Sequence, residues 1–106
     1  MTDIEFIRMA TPETEQLAQL AEECSELAQA ALKLRRALKA DESNPTPCNV
    51  TACMTNLQEE IADVFVCLRV TGQLYGVTAT SDIEENMRHK TRRWARRLGR
   101  REEDLK

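Results

Sequence analysis

The sequence is poor in the residues that shape turn-rich folds. Among its 106 residues, aromatic side chains make up only 4%, and there are three glycines and three prolines. An all-β domain needs more turn-forming residues than this. Because 42% of the residues are nevertheless hydrophobic, we predict an all-α fold. The length suits one domain over residues 1–106, with a helical core at about 13–98 and a basic tail at 99–106.

Several classes of site and location are disfavoured by what is missing. His89 is the only histidine and no two cysteines form a C-x-x-C pair, which argues against a zinc site. No stretch of roughly 18 apolar residues is present, and no basic start leads into an apolar run, so neither a membrane span nor a signal peptide is indicated. We therefore expect a cytoplasmic protein without a membrane partner. We expect structural thiols at Cys24, Cys48, Cys53 and Cys67.

Charge is distributed very unevenly along the chain. The formal net charge is −3, yet residues 86–101 contain seven arginines, one lysine and no acid. This segment alone carries +8, which leaves −11 for the remainder. The overall charge makes nucleic acid an unlikely partner, whereas the basic segment suits an anionic ligand.

The apolar periodicity predicts a long first helix from about Thr11 to Ala40. Thr11 can cap it, and Pro12 suits the first helical position. Residues 1–10 are predicted as a short preceding helix. Steps of three and four residues define one apolar stripe, which predicts a single buried seam along the long helix. That stripe contains Leu17, Leu20, Cys24, Leu27, Ala31, Leu34 and Leu38.

Two further helices follow a Pro-containing loop at residues 41–50. One runs from about 51 to 75 and stops before Gly76. The other begins at Ser81, where Ser81 and Glu84 fit a capping box. The stripe of the middle helix contains Leu57, Ile61, Val64, Leu68 and Thr71. The architecture predicted is an antiparallel helix pair plus a third long helix.

An acidic motif occurs twice, once in each of the first two long helices. Residues 22–27 and 59–64 share the pattern Glu-Glu-x-x-acid-aliphatic at an offset of 37 residues. At about 100° per residue, Glu23 and Glu26 lie to the same side of their apolar stripe, whereas Glu22 points away. The same construction selects Glu60 and Asp63 and turns Glu59 outward. A loop of about ten residues favours antiparallel packing, which would bring the four selected carboxylates together.

Four converging carboxylates repel one another unless a cation neutralises them. Hard oxygen ligands favour Mg²⁺, Mn²⁺ or Ca²⁺. A di-iron site is disfavoured because no acid has a histidine at Glu-x-x-His spacing. The alternative interpretation is an exposed helix face decorated with acids, as single Glu pairs three residues apart usually are.

These motifs, with Lys90-Thr91-Arg92-Arg93-Trp94 downstream, resemble the MazG-like all-α nucleoside triphosphate pyrophosphohydrolases over about residues 13–98. The resemblance implies hydrolysis of (deoxy)nucleoside triphosphates to monophosphate and pyrophosphate with Mg²⁺, for which Mn²⁺ can substitute, in nucleotide-pool cleansing. It also implies a four-helix-type bundle completed in a homodimer or homotetramer. The implied metal ligands are Glu23, Glu26, Glu60 and Asp63.

Other residues are candidates for water activation and for phosphate binding. Glu23 or Glu26 is expected to activate water as well as, or instead of, binding metal. Lys90 and Arg93 lie one turn apart and could hold the outgoing pyrophosphate. Lys33 is either a further phosphate contact or an ordinary exposed lysine.

A function of another class is compatible with the same sequence. Residues 86–101 could form a non-enzymatic helical module that binds nucleic acid or an acidic partner, with the carboxylates as mere surface charge.

Overall fold

The computed structural model describes residues 1–38, 49–72 and 80–101. Within these ranges the chain is helical and contains no strand, so the all-α prediction is confirmed. The four helices are α1 (Asp3–Ala10), α2 (Glu13–Ala37), α3 (Val50–Val70) and α4 (Thr80–Arg97). They belong to two compact units, Met1–Thr71 and Gly72–Lys106.

Side chains and backbone at the N-termini explain where the first helices begin. Thr2 caps α1 in a reciprocal capping box, since its hydroxyl accepts from the Glu5 N–H and the Glu5 carboxylate accepts from the Thr2 N–H. Thr11 ends α1, and Pro12 precedes Glu13 without a side-chain cap. The predicted capping of α2 by Thr11 is therefore wrong, because Pro12 occupies the N-cap position and Thr11, one residue earlier, is the C-cap of α1.

Helices α2 and α3 pack against each other in antiparallel orientation. A pocket near one end joins Gln16, early in α2, to Val70 at the end of α3. A second cleft, at the other end, joins Leu34 to Thr51 at the start of α3. The start of each helix therefore lies beside the end of the other, as predicted.

The seam between α2 and α3 follows a heptad spacing on both helices. Every residue at these positions is buried or half-buried. Spacings that alternate between three and four keep one stripe of each helix facing its neighbour. The α2 stripe is Gln16, Leu20, Glu23, Leu27, Ala30, Leu34 and Ala37; the α3 stripe is Val50, Cys53, Leu57, Glu60, Val64, Cys67 and Thr71.

The predicted stripe of α2 is correct at Leu20, Leu27 and Leu34 but wrong at the intervening positions. Leu17 is 45% exposed and Leu38 is 59% exposed. The seam instead passes through Gln16, Glu23, Ala30 and Ala37, each one residue before a predicted position, and two of these are alanines that allow close approach of the helices. In α3, Leu57, Ile61, Val64 and Thr71 are at least half-buried as predicted, whereas Leu68 is exposed.

The end of α3 is fixed by contacts that sequence reasoning did not anticipate. Arg8 donates from its guanidinium to the carbonyl oxygens of Arg69 and Val70, which satisfies the last carbonyls of α3. The Thr71 hydroxyl donates to the Cys67 and Leu68 carbonyls. The helix therefore ends at Val70, five residues before the predicted end. Gly76 lies outside the described residues.

Helix α4 begins at Thr80, one residue before the predicted start, and ends in a glycine-dependent cap. Gly99 has φ +98°, a conformation that glycine adopts without steric cost. The Gly99 N–H donates to the Arg96 carbonyl and the Arg100 N–H to the Ala95 carbonyl, which is the Schellman pattern. The predicted capping box depends on the Ser81 side chain, which lies outside the part of the chain described. Residues 41–48 of the predicted loop at 41–50 also lie outside it.

Large apolar side chains stay exposed on the helices that the structure describes. Phe65 is 60% exposed on α3, and Trp94 is 62% exposed on α4. A homodimer or homotetramer that covers such surfaces, and the MazG-like bundle it would complete, remain predictions. None of the helices in the described ranges is both long and apolar enough to cross a bilayer.

The Arg8 contact generates a stability prediction. Arg8→Ala removes a charged donor from two terminal carbonyls, so we expect the free energy of unfolding to fall by about 1–2 kcal/mol in urea denaturation. Arg35→Ala, an exposed arginine of α2, serves as control and should cost no more than about 0.5 kcal/mol. Equal losses in the two variants would contradict the role given to Arg8.

Candidate metal centre

Glu23 and Glu60 are the two charged residues of the α2–α3 seam. Each occupies a heptad position of the seam, whose other members are uncharged, and each is half-buried. The acidic motif occurs once in each helix, and the two glutamates occupy the same position in it. Antiparallel packing therefore makes them face each other. The seam thus holds two carboxylates at its middle.

Glu26 joins this pair from the next turn of α2. One carboxylate oxygen from each of Glu23, Glu26 and Glu60 lies within 4.8 Å of the other two. Glu26 is exposed at the rim of the seam, whereas its two partners are half-buried. Three of the four carboxylates selected from the sequence therefore converge.

The two seam carboxylates each have an oxygen without a protein partner. Glu23 Oε2 and Glu60 Oε2 are both inaccessible to solvent and form no hydrogen bond. Removing a carboxylate oxygen from water without a compensating bond is costly. A cation bound between these oxygens would remove that cost, so the residues present suit a hard divalent ion.

Gln19 orients the Glu23 carboxylate from one turn earlier in α2. Its Nε2 donates to Glu23 Oε1 at 2.8 Å. This bond leaves the other carboxylate oxygen directed into the seam. Hydrogen bonds of this kind commonly hold metal-binding carboxylates in place. Sequence reasoning missed Gln19, although its position four residues before Glu23 on one helix face is a usable signal.

Electrostatic crowding affects Glu26 most clearly. The negative charge of Glu23 raises the pKa of Glu26, and desolvation, the charge of Glu60 and a side-chain hydrogen bond with Glu23 raise it further. The first cause is thus a neighbouring carboxylate, the pattern expected where like charges share a site, and desolvation is the second.

Asp63 is not part of the group of three and is exposed on the next turn of α3. It lines a pocket of about 340 Å³ together with Glu23. Its role as fourth ligand stays a prediction. Glu22 and Glu59 are exposed, as their helical angles predicted.

The predicted phosphate contacts lie on two separate elements. Lys33 is exposed on α2, seven residues after Glu26. Lys90 and Arg93 are exposed on α4, which belongs to the second compact unit. Their binding of phosphate stays a prediction.

The cysteines differ from one another. Cys24 and Cys67 are free thiols. Burial raises the pKa of the Cys67 thiol, and the charges of Glu23 and Asp63 raise it further, so this thiol is a poor nucleophile at neutral pH. Cys53 is buried and disulfide-bonded, so the prediction of a thiol at this position is wrong. Cys48 lies outside the described residues.

Comparisons with protein-family models, with curated proteins and with solved structures gave no match for this chain. The resemblance to MazG-like enzymes therefore rests on the two acidic motifs and the basic segment downstream.

The crowding at Glu26 predicts a pH dependence of stability in chelator. Because its pKa is raised in the folded protein, the folded state holds more protons than the unfolded state at pH values just above 4.5. The free energy of unfolding should therefore fall as pH rises through this window, and Glu26→Gln should flatten the fall. Urea denaturation at roughly pH 4 to 7 measures it.

Glu59→Gln is the matched control for this prediction, since Glu59 is an exposed glutamate of α3 outside the cluster. It should follow the wild-type profile. A Glu26→Gln profile parallel to wild type would contradict the electrostatic coupling.

Proposed function

We propose that this protein is a Mg²⁺-dependent nucleoside triphosphate pyrophosphohydrolase. The observation that carries the proposal is the convergence of Glu23, Glu26 and Glu60 within 4.8 Å, with buried oxygens on Glu23 and Glu60 that lack partners. A decorated helix face would leave such oxygens in water. The choice of reaction comes from the motif resemblance, which assigns these same positions to metal binding.

The residues that would hold Mg²⁺ are Glu23, Glu26 and Glu60, with Asp63 as a fourth ligand. When bound, Mg²⁺ supplies neutralisation of phosphate charge and a lowered pKa of coordinated water. The protein's contribution is a rigid set of oxygens, because two ligands belong to the packed seam and Gln19 fixes the Glu23 carboxylate.

Glu26 is the carboxylate best suited to accept a proton from the attacking water. It is exposed at the rim, where water and substrate have access, whereas Glu23 is half-buried and already bonded to Gln19. A base must reach the proton it removes, so the accessible carboxylate is favoured. Glu23 then serves as ligand.

The phosphates of the substrate require positive charge that the carboxylates do not provide. Lys33, Lys90 and Arg93 are the groups we assign to this role. Each is exposed, so each side chain is available to solvent and ligand. Lys90 and Arg93 are separated by one helical turn, which suits two oxygens of one pyrophosphate.

A second candidate function has its own observation. A depression of about 510 Å³ runs along α4 and is lined by Met87, Thr91, Arg88, Arg92 and Arg100, among others. Its lining contains three arginines and one acid, Glu84, and this excess of basic residues favours an anionic partner. The alternative is a non-enzymatic module that binds nucleic acid or an acidic protein through residues 86–101.

Metal binding is the first test of the hydrolase. A ligand that binds only the folded state raises its stability. Mn²⁺ should therefore raise the melting temperature of wild type and of Glu59→Gln, and the rise should be lost in Glu23→Gln. Thermal denaturation with and without Mn²⁺ measures this, and an equal rise in all three proteins would argue against the site.

Hydrolysis is the second test. Ribo- and deoxynucleoside triphosphates are incubated with Mg²⁺ or chelator, and monophosphate and pyrophosphate are quantified. We expect turnover only with Mg²⁺. Glu60→Gln should reduce it by about 100-fold or more, since a lost metal site removes several kcal/mol of charge stabilisation.

Glu59→Gln should retain activity. The two functions also separate in this assay. If residues 86–101 bind a partner and the carboxylates are inert, no nucleotide is hydrolysed and Glu60→Gln has no effect. Metal-independent turnover, or no turnover on any nucleotide, would exclude the hydrolase.

A further inference from the structure

We propose that the pocket of about 340 Å³ beside Glu23 binds the nucleoside part of the substrate. This inference rests on the proposed hydrolase function and names the residues that distinguish a nucleoside triphosphate from other polyphosphates. All of the pocket residues belong to the unit formed by Met1–Thr71.

Three helices form the pocket. Helix α1 contributes Ile7, α2 contributes Gln16 and Gln19, and α3 contributes Val66 and Val70. The volume lies at the lower end of the range for small-molecule sites, which are mostly apolar with a few polar groups. The space is suited to one small organic group.

The pocket is continuous with the candidate metal centre. Glu23 lines the pocket and also contributes an oxygen to the cluster with Glu26 and Glu60. From Glu23, the pocket extends toward the start of α2 and the end of α3. A substrate whose phosphates meet a cation at the cluster would therefore direct its organic end into this pocket.

The described residues that line the pocket do not favour phosphate as its occupant. Its ionisable lining residues are Glu23, Asp63 and the Cys67 thiol, and none of the described lining residues is Lys or Arg. Away from a cation held by Glu23 and Asp63, an anionic group would find no favourable charge in the pocket. A neutral, partly apolar group such as a nucleoside is compatible with the same surface.

Two glutamines provide polar recognition. Gln16 is buried, and its Nε2 donates to the carbonyl oxygens of Arg8 and Thr11. Its amide protons are thereby used, so the group that it can offer a ligand is its carbonyl oxygen, an acceptor. Gln19, bonded to Glu23, links recognition in the pocket to the position of a metal-binding carboxylate.

The walls of the pocket are held in place by contacts over long sequence distances. Arg8 bonds the end of α3, and Gln16 bonds the end of α1, so α1 is fastened to both other helices. Ile7, on the same helix, therefore has a defined position opposite α3. A preformed wall lowers the entropy lost on binding.

Filling the pocket tests the proposal. Val66 is 47% exposed at the pocket edge, so Val66→Trp can block the space without disturbing the seam. Leu68→Trp is the matched control, since Leu68 is 42% exposed on the same helix and does not line the pocket. Both variants are compared with wild type for Mn²⁺ affinity, which should be unchanged.

The kinetic arm uses the nucleoside triphosphate hydrolysed fastest, with inorganic tripolyphosphate as competitive inhibitor. Val66→Trp should raise the KM for the nucleotide by about tenfold or more, because the organic group loses its site. The inhibition constant of tripolyphosphate should not change, and Leu68→Trp should alter neither value. Equal changes for both ligands in Val66→Trp would overturn the proposal.

A second arm needs no turnover and separates this inference from the proposed function. Saturation-transfer NMR with the four common deoxynucleosides, which lack phosphate, reports on the pocket alone. Binding to wild type and Leu68→Trp, but not to Val66→Trp, would support the pocket even if no triphosphate were hydrolysed. Hydrolysis of triphosphates without any binding of nucleoside would overturn the pocket and leave the hydrolase proposal standing.

Discussion

The main physical constraint on this helical pair is that its seam contains two glutamates, which the surrounding packing must hold close together. Glu23 and Glu60 occupy heptad positions of α2 and α3, and each keeps a buried oxygen without a partner. Leucine at either position would bury apolar area at no electrostatic cost. Because the seam contains the two charges instead, a cation bound between them would also stabilise the packing of the two helices.

The rest of the unit holds this pair in place from both ends. Toward the end of α2, Ala30 and Ala37 are buried, and small side chains let the helix axes approach closely. At the opposite end, Arg8 bonds the last carbonyls of α3, and Gln16 bonds the end of α1. The carboxylates between these ends are thus held by packing that does not involve them. A site that must keep several like charges close together requires such independent support.

The sequence predicts what depends on local pattern and fails where distant contacts decide. Helix type, antiparallel pairing and the convergence of Glu23, Glu26 and Glu60 follow from periodicity and loop length. The predicted α2 stripe is wrong at every second position. Leu20, Leu27 and Leu34 belong equally to the stripe through Leu17 and to the stripe through Gln16. The packing of α3 against α2 decides which of the two stripes is buried. The end of α3 at Val70 depends on Arg8, which lies 62 residues earlier in the chain, and no local signal marks it. The capping box of Thr2 and Glu5, in contrast, is a local pattern that was readable.

The repeated acidic motif gives α2 and α3 nearly equivalent carboxylates, whereas the surroundings of these carboxylates on the two sides differ. Helix α1 covers only the end where α2 begins and α3 finishes, and among the described residues of the unit Met1–Thr71 no other helix covers the opposite end. The pocket beside Glu23 therefore lies on one side of the cluster, and Lys33 lies on the other, about 10 Å beyond Glu26 along the axis of α2. An extended substrate on this surface has one favoured direction, with its neutral end toward α1 and its most highly charged end toward Lys33. Under the proposed function this polarity fixes which phosphate meets the carboxylates: the one that joins the nucleoside to the rest of the chain, which is the phosphate at which cleavage yields monophosphate and pyrophosphate.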